Sequence, residues 1–170
     1  MRKLILYIAS SLDGFIAGED NDIGWLFTDD EYGYAEFIET VDTILMGRKT
    51  YDLVKSRKKW PYPDKKCYVF TKESNPNPDK RVMFTAEPVE FTKKLLDSKG
   101  KNIWLVGGSK IVTVLLNKKM VHELILSIHP ILLGSGIPLF AEINSKHNLI
   151  LNNTKEFKSG LVQLYYDFGD

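Results

Sequence analysis

The chain has 170 residues, 44% of them hydrophobic and 26% charged, with a formal net charge of +1. That length suits one domain with a substantial core and is short for two, and the near-neutral balance offers no electrostatic footprint for nucleic acid or a membrane surface. A lone cysteine, Cys67, rules out an internal disulfide, and the apolar run Leu4–Ala9 soon meets Asp13, Glu19 and Asp20; with no apolar run near the ~20 residues of a transmembrane helix, the expectation is a cytoplasmic protein.

Lys3–Ala9 reads as a first strand, apolar almost throughout and so suited to burial on both faces in the middle of a sheet. A glycine-punctuated loop runs from Ser10 through Gly18 to Leu26, of a kind that either carries function or closes on itself as a compact surface loop. Asp29–Thr40 reads as a helix with Tyr32, Ala35, Phe37 and Ile38 turned inward, its start supplied with a cap and favourable charge by Asp29-Asp30-Glu31. Thr43–Met46 is a second strand that runs into Gly47, Arg48, Lys49 and Thr50, and the helix begun there ends over Asp52–Arg57, before Trp60-Pro61-Tyr62-Pro63.

Lys66–Phe70 follows as a strand ending in Thr71-Lys72, then a loop over Asn75–Pro78, a short strand over Arg81–Phe84, and a helix over Pro88–Ser98 with proline at its start and Gly100 past its end. Asn102–Val106 is an apolar strand leading into Gly107-Gly108-Ser109, after which Ile111, Val112, Leu115 and Leu116 form a helix face. From Val121 the pattern changes: Glu123–His129 is strand-like, Pro130–Pro138 is a glycine-broken loop, and Phe157–Leu161 joins two strand-like runs as a hairpin. Alternating strands and helices followed by strands alone imply a three-layer α/β domain over residues 1–170, with a mostly parallel central sheet finished by antiparallel C-terminal strands.

Two strand–glycine–helix junctions, at Gly47 and at Gly107-Gly108, are suited to an anion, because the first N–H groups of a helix are free and its dipole favours negative charge there. Together they fit two ends of one extended phosphorylated ligand at the carboxyl ends of neighbouring strands. A tight turn asks for glycine on its own account, however, and neither junction has the G-x-x-x-x-G-K-[ST] or the G-x-G-x-x-G pattern. His122, His129 and His147 lack metal-ligand spacing and read as surface or strand-edge residues, so no metal is expected. Trp25, Trp60 and Trp104 read as core, and Ser135 as a turn residue.

Four motifs occur in register: Ser11-Leu12-Asp13-Gly14-Phe15-Ile16-Ala17, Met46-Gly47-Arg48-Lys49-Thr50-Tyr51, Val106-Gly107-Gly108-Ser109, and Pro130 through Phe140 with its Leu133-Gly134-Ser135-Gly136 centre. Together they resemble the dihydrofolate reductase-like superfamily, specifically the C-terminal reductase domain of the bifunctional riboflavin-pathway deaminase-reductase, over nearly the whole chain.

The resemblance implies hydride transfer from NADPH to a small heterocyclic or carbonyl substrate, and assembly as a homodimer. It would place Gly47, Arg48, Lys49 and Thr50 on the cofactor's phosphates, with Arg48 or Lys49 near the 2′-phosphate, and Thr71 and Lys72 beside the adenosine. Val106, Gly107, Gly108 and Ser109 would pass the pyrophosphate and nicotinamide, and Ala9, Ile16 and Ala17 would line the nicotinamide pocket. A carboxylate that supports protonation is implied near Asp29, Asp30 or Glu31, with Asp13 a further candidate, and no single catalytic residue is assigned. Phe15 stands where riboflavin-pathway reductases carry a cation after Asp-Gly, and the zinc-deaminase signatures H-x-E and P-C-x-x-C are missing. Two other readings stay open at this point: a true riboflavin-pathway reductase acting on the ribosylaminouracil phosphate, and a catalytically silent NADP-binding or interaction protein with the same fold.

Overall fold

A computed structural model describes residues 1–74 and 76–169, so Asn75 of the loop expected over 75–78 lies outside the described residues. Among the described residues, ten strands and four α-helices follow one another as β1 (Leu4–Ser11), β2 (Phe15–Ala17), α1 (Tyr34–Glu39), β3 (Val41–Gly47), α2 (Arg48–Lys55), β4 (Lys66–Phe70), β5 (Met83–Thr85), α3 (Pro88–Asp97), β6 (Asn102–Gly107), α4 (Ser109–Asn117), β7 (Glu123–His129), β8 (Ile137–Pro138), β9 (Leu149–Glu156) and β10 (Val162–Phe168). Eight strands form one sheet in the order β5-β4-β3-β6-β1-β7-β10-β9, and β2 pairs with β8 in a separate two-stranded ladder. Every neighbour pair from β5 to β7 is parallel, whereas β10 runs antiparallel to both β7 and β9. This is the mostly parallel three-layer sheet with antiparallel C-terminal strands that the pattern of elements implied.

The continuous apolar runs of the central strands follow from coverage on both faces. Leu4 and Leu6 of β1, Leu45 of β3, and Ile103 and Leu105 of β6 pack with Ile111, Val112, Leu115 and Leu116 of α4. The alternate residues Ile5, Ile44, Met46 and Trp104 pack on the other face with Phe37 of α1 and with Tyr51 and Val54 of α2. Burying each such side chain contributes roughly 1.5–3 kcal/mol, so the sheet's two helical layers are held mainly by these strands.

Three local expectations change. The helix expected over Asp29–Thr40 is confined to Tyr34–Glu39, because Tyr32 (φ 48°) and Gly33 (φ 76°) are left-handed and the chain cannot continue a right-handed helix through them. Gly33 is the residue at its N-cap, Asp29-Asp30-Glu31 lie in the preceding turn, and Ala35 is exposed rather than inward. The loop after β1 contains the short strand β2, anchored by Phe15 opposite Pro138 and Ala17 opposite Ile137. Trp104 is buried, but Trp25 and Trp60 are only half-buried, and His129 is 3% exposed rather than at the surface.

Candidate functional site

The parallel strands bring their carboxyl ends to one edge, where Gly47 leaves β3, Thr71 follows β4, Gly107-Gly108-Ser109 leads from β6 into α4, and Ser11 and His129 end β1 and β7. Because β3 and β6 are direct neighbours, the two strand–glycine–helix turns lie side by side. A Cβ on Gly47 would stand 3.7 Å from the Gly107 carbonyl oxygen and 3.6 Å from Ile111 Cγ2. Gly108 has a φ of 66°, and a Cβ there would lie 3.2 Å from Thr50 Oγ1. Gly107 has a φ of 124°, and a Cβ on it would come within 3.0 Å of Ile8 Cδ1. Glycine is therefore demanded here by conformation and by the close approach of the two turns.

Both helices present their N-termini at this edge with no side-chain cap among the described residues, and the first turn of α2 carries Arg48 and Lys49 with no carboxylate. Ser109, the first residue of α4, has a buried hydroxyl without a hydrogen-bond partner among the described residues. An unpartnered buried hydroxyl is costly unless a ligand or solvent completes it. Arg48 Nε donates to Asp52 at 3.0 Å, a second guanidinium nitrogen pairs with Glu73, and the group lies 5.9 Å from the Phe84 ring centroid. The hydrogen bonds to Asp52 and then to Glu73 push the Arg48 pKa further up. Lys49 and Lys72 are exposed and make no ion pair among the described residues. Thr71 is fixed by its own N–H donating to Thr85 O at 3.0 Å, while its hydroxyl accepts from Glu73 N at 3.1 Å.

The adjoining part of the edge is built from two stitched loops. Ser11 Oγ donates to Asp13 at 2.6 Å and accepts from Phe15 N at 2.9 Å. The Asp13 carboxylate also accepts from Leu133 N at 3.1 Å and Gly134 N at 2.7 Å. These hydrogen bonds, that of Ser11 first and that of Gly134 next, hold its carboxyl below the usual range. Leu12 N donates to Ile131 O and Leu139 N to Gly14 O, both at 2.9 Å, and Gly136 packs so tightly that a Cβ there would fall 2.2 Å from Ala17 O. Ala17 is buried, Ile16 and Val106 are half-buried, and Ala9 is half-buried on β1 opposite Ser127.

The acids ahead of α1 are arranged differently. Asp29 accepts from the Tyr32 hydroxyl at 2.6 Å, and that hydroxyl shares a 3.0 Å hydrogen bond with Ser159 of the β9–β10 turn. Asp30 accepts from Glu31 N at 2.6 Å, and the Glu31 side chain is exposed. Two residues at this edge escaped sequence reasoning. His129 accepts from Phe27 N through Nε2 at 3.2 Å, with the Trp25 and Phe27 rings 5.1 and 4.9 Å away, and burial pushes its pKa down. Its place as the last residue of a strand, just before Pro130, was the available signal. Glu73 carried none, since only the parallel register of β3 and β4 brings it to Arg48.

The chain matches the family model described as the RibD C-terminal domain over residues 2–163. Two uncharacterized proteins of Bacillus subtilis (strain 168), YwjB and YyaP, are 44% and 37% identical to it, covering 97% of this chain and 97% and 94% of their own. Among solved structures, a provisionally assigned riboflavin biosynthesis protein from Shewanella sp. PV-4 superposes with a TM-score of 0.85 at 25% identity, covering 99% of both chains. The deaminase and 5-amino-6-(5-phosphoribosylamino)uracil reductase of Thermotoga maritima gives a TM-score of 0.75 at 16% identity, with 99% of this chain matching 57% of that one. Enterococcus faecalis dihydrofolate reductase, complexed with NADP(H), gives 0.74 at 20% identity over 99% of this chain and 97% of its own. At those last two identities the likeness concerns the fold.

Proposed function

Since the chain belongs to the RibD C-terminal domain family, we propose that it is an NADPH-dependent reductase acting on a small heterocyclic or carbonyl substrate. The observation that carries this reading is the pair of adjoining glycine turns, Gly47 beside Gly107 and Gly108 against Thr50, each leading into a helix N-terminus with no side-chain cap among the described residues, with the Ser109 hydroxyl at the start of α4 unpartnered among them. A cradle that excludes side chains and offers N–H groups and cations fits a dinucleotide pyrophosphate.

In this reading Gly47, Arg48, Lys49 and Thr50 hold the phosphates, with Arg48 or Lys49 at the 2′-phosphate. Thr71 and Lys72 border the adenosine, and Val106, Gly107, Gly108 and Ser109 follow the pyrophosphate towards the nicotinamide, beside Ala9, Ile16 and Ala17. When bound, the cofactor supplies the hydride. The chain's own part is to align the reactants and exclude water, and the stitched β2–β8 wall provides the rigid side of that cleft. Asp13 and Asp29 serve as positioning groups, one holding Leu133 and Gly134, the other the Tyr32 hydroxyl.

Phe15, half-buried opposite Pro138, stands where the resemblance would put a cation for a ribose phosphate, which weighs against that substrate. We extend the proposal to one domain over residues 1–170 acting in the cytoplasm as a homodimer, the late strands providing the contact. No helix among the described residues is long and apolar enough to cross a membrane.

Titration with NADPH, followed by nicotinamide or tryptophan fluorescence, is expected to give saturable binding, and no binding at millimolar cofactor overturns the reading. A cofactor-oxidation screen over pterins, the ribosylaminouracil phosphate and small carbonyl compounds then identifies the substrate. Binding without turnover across that panel favours the catalytically silent alternative.

A further inference from the structure

We propose that Glu73 is a specificity-determining residue of the cofactor cleft: its carboxylate occupies the Arg48 guanidinium in the place of the cofactor's 2′-phosphate, and so sets how strongly the protein distinguishes NADPH from NADH. The inference rests on the NADPH reading above.

Arg48 opens α2, at the helix end that faces the strand edge. Its bond to Asp52 needs no special account, being an i,i+4 pair on one helix surface. Glu73 is different, since it comes from another element 25 residues along the chain. The parallel register that sets Gly47 opposite Phe70 delivers the segment after β4 to the start of α2. There Thr71 is pinned to Thr85 O through its N–H, and its hydroxyl accepts from Glu73 N at 3.1 Å, so the turn aims Glu73 at the guanidinium. Asp52 takes Nε and Glu73 takes one terminal nitrogen, and the other terminal nitrogen has no partner among the described residues.

The pair is open to exchange, with the side chains of Arg48 and Glu73 37% and 47% exposed. A phosphate monoester is the stronger ligand for a guanidinium, but two anions cannot share one cation without like-charge repulsion. A cofactor carrying the 2′-phosphate therefore has to displace Glu73, whereas one with a free 2′-hydroxyl leaves the ion pair standing. Glu73 acts through Arg48 and selectively against the phosphorylated cofactor.

The test measures dissociation constants for NADPH and NADH, and for 2′,5′-ADP and ADP, on the wild type, Glu73→Gln, Arg48→Ala and the double variant. Glu73→Gln is expected to tighten NADPH and 2′,5′-ADP about fivefold at low ionic strength, the scale of one exposed ion pair, while NADH and ADP move less than about twofold. The gain shrinks at high salt and vanishes when Arg48 is already alanine. Equal changes for both cofactors, no change, or a gain that persists without Arg48 overturns the inference. A wild type that binds neither cofactor removes the NADPH reading and this inference with it, whereas a wild type that binds NADPH with no response to Glu73→Gln removes only the inference.

Discussion

Gly108 and Thr50 face each other across the two strand–helix turns, so closely that a Cβ on Gly108 would lie 3.2 Å from Thr50 Oγ1. Gly108→Ala is expected to cost about 1–3 kcal/mol for the left-handed φ of 66° and to lower NADPH affinity at least about tenfold by prising the turns apart. Gly160→Ala is the control: its φ is 86°, in the β9–β10 turn, where a Cβ meets only Pro130 at 3.4 Å. It is expected to lower the melting temperature and leave cofactor affinity intact. Thermal melts beside fluorescence titrations check both, and equal affinity losses in the two variants would contradict a cradle at Gly108.

At the opposite edge of the sheet, Arg2 is a stability determinant remote from that cleft. It is 6% exposed, and its guanidinium donates to Lys101 O at 2.6 Å, Ser98 Oγ at 2.9 Å and Thr43 Oγ1 at 2.7 Å while pairing with Asp42. Burial opposes ionisation of Asp42, but the Thr43 hydroxyl, the Lys101 N–H and the Arg2 charge outweigh it and hold its carboxyl below the usual range. Arg2→Met takes the paired charge from that carboxylate, which keeps the Thr43 hydroxyl and the Lys101 N–H, and removes the donor to Lys101 O, Ser98 Oγ and Thr43 Oγ1. The expected loss is about 3 kcal/mol, with cofactor affinity unchanged. Denaturant titration measures it, and a loss below about 1 kcal/mol would show that the network contributes little.

The central strands were legible because sheet burial on both faces leaves an unmistakable apolar run, as in Leu4–Leu6 and Ile103–Leu105. Gly47 and Gly107-Gly108 were legible as turns, since proline, glycine and helix starts are local signals. That the turns adjoin was not, because adjacency of β3 and β6 comes from sheet order and no local pattern encodes it. The truncation of α1 was hidden for another reason: Tyr32 adopts a left-handed conformation that tertiary contacts enforce, its hydroxyl being tied to Asp29 and Ser159. Burial of His129 depends likewise on Trp25 and Phe27 folding back over the end of β7.

That burial has a pH signature. The folded pKa of His129 is lowered, so below its unfolded value of about 6.5 the unfolded chain binds more protons than the folded one. Stability is therefore fully present above that pH and falls as the pH drops through it. Protonated Nε2 can no longer accept from Phe27 N, which removes the hydrogen bond that ties the segment carrying Trp25 to the end of β7. His122 shifts in the same direction, and its Nδ1 accepts from Leu4 N at 3.1 Å. Melting temperatures between pH 5 and pH 8 are expected to decline on the acid side, with a smaller slope in His129→Gln. An unchanged slope in that variant would assign the pH dependence elsewhere.

Strand β9 offers the clearest test of assembly. It forms the end of the sheet, hydrogen-bonded to β10 on one side, and its first three residues, Leu149, Ile150 and Leu151, are 40%, 58% and 52% exposed. The charges of this edge strand, Lys155 and Glu156, stand at its far end, so its first three exposed aliphatic residues have no cover among the described residues, and a second copy of the chain is expected to bury them. Light scattering after size exclusion is expected to give twice the chain mass, and Ile150→Lys to give a monomer by placing an unpaired charge in the contact. Because β9 lies at the far end of the sheet from β3 and separated by several strands from β6, the monomeric variant should still bind NADPH as the wild type does. A monomeric wild type at tens of micromolar, or a dimer indifferent to Ile150→Lys, would place the contact on another face or remove it.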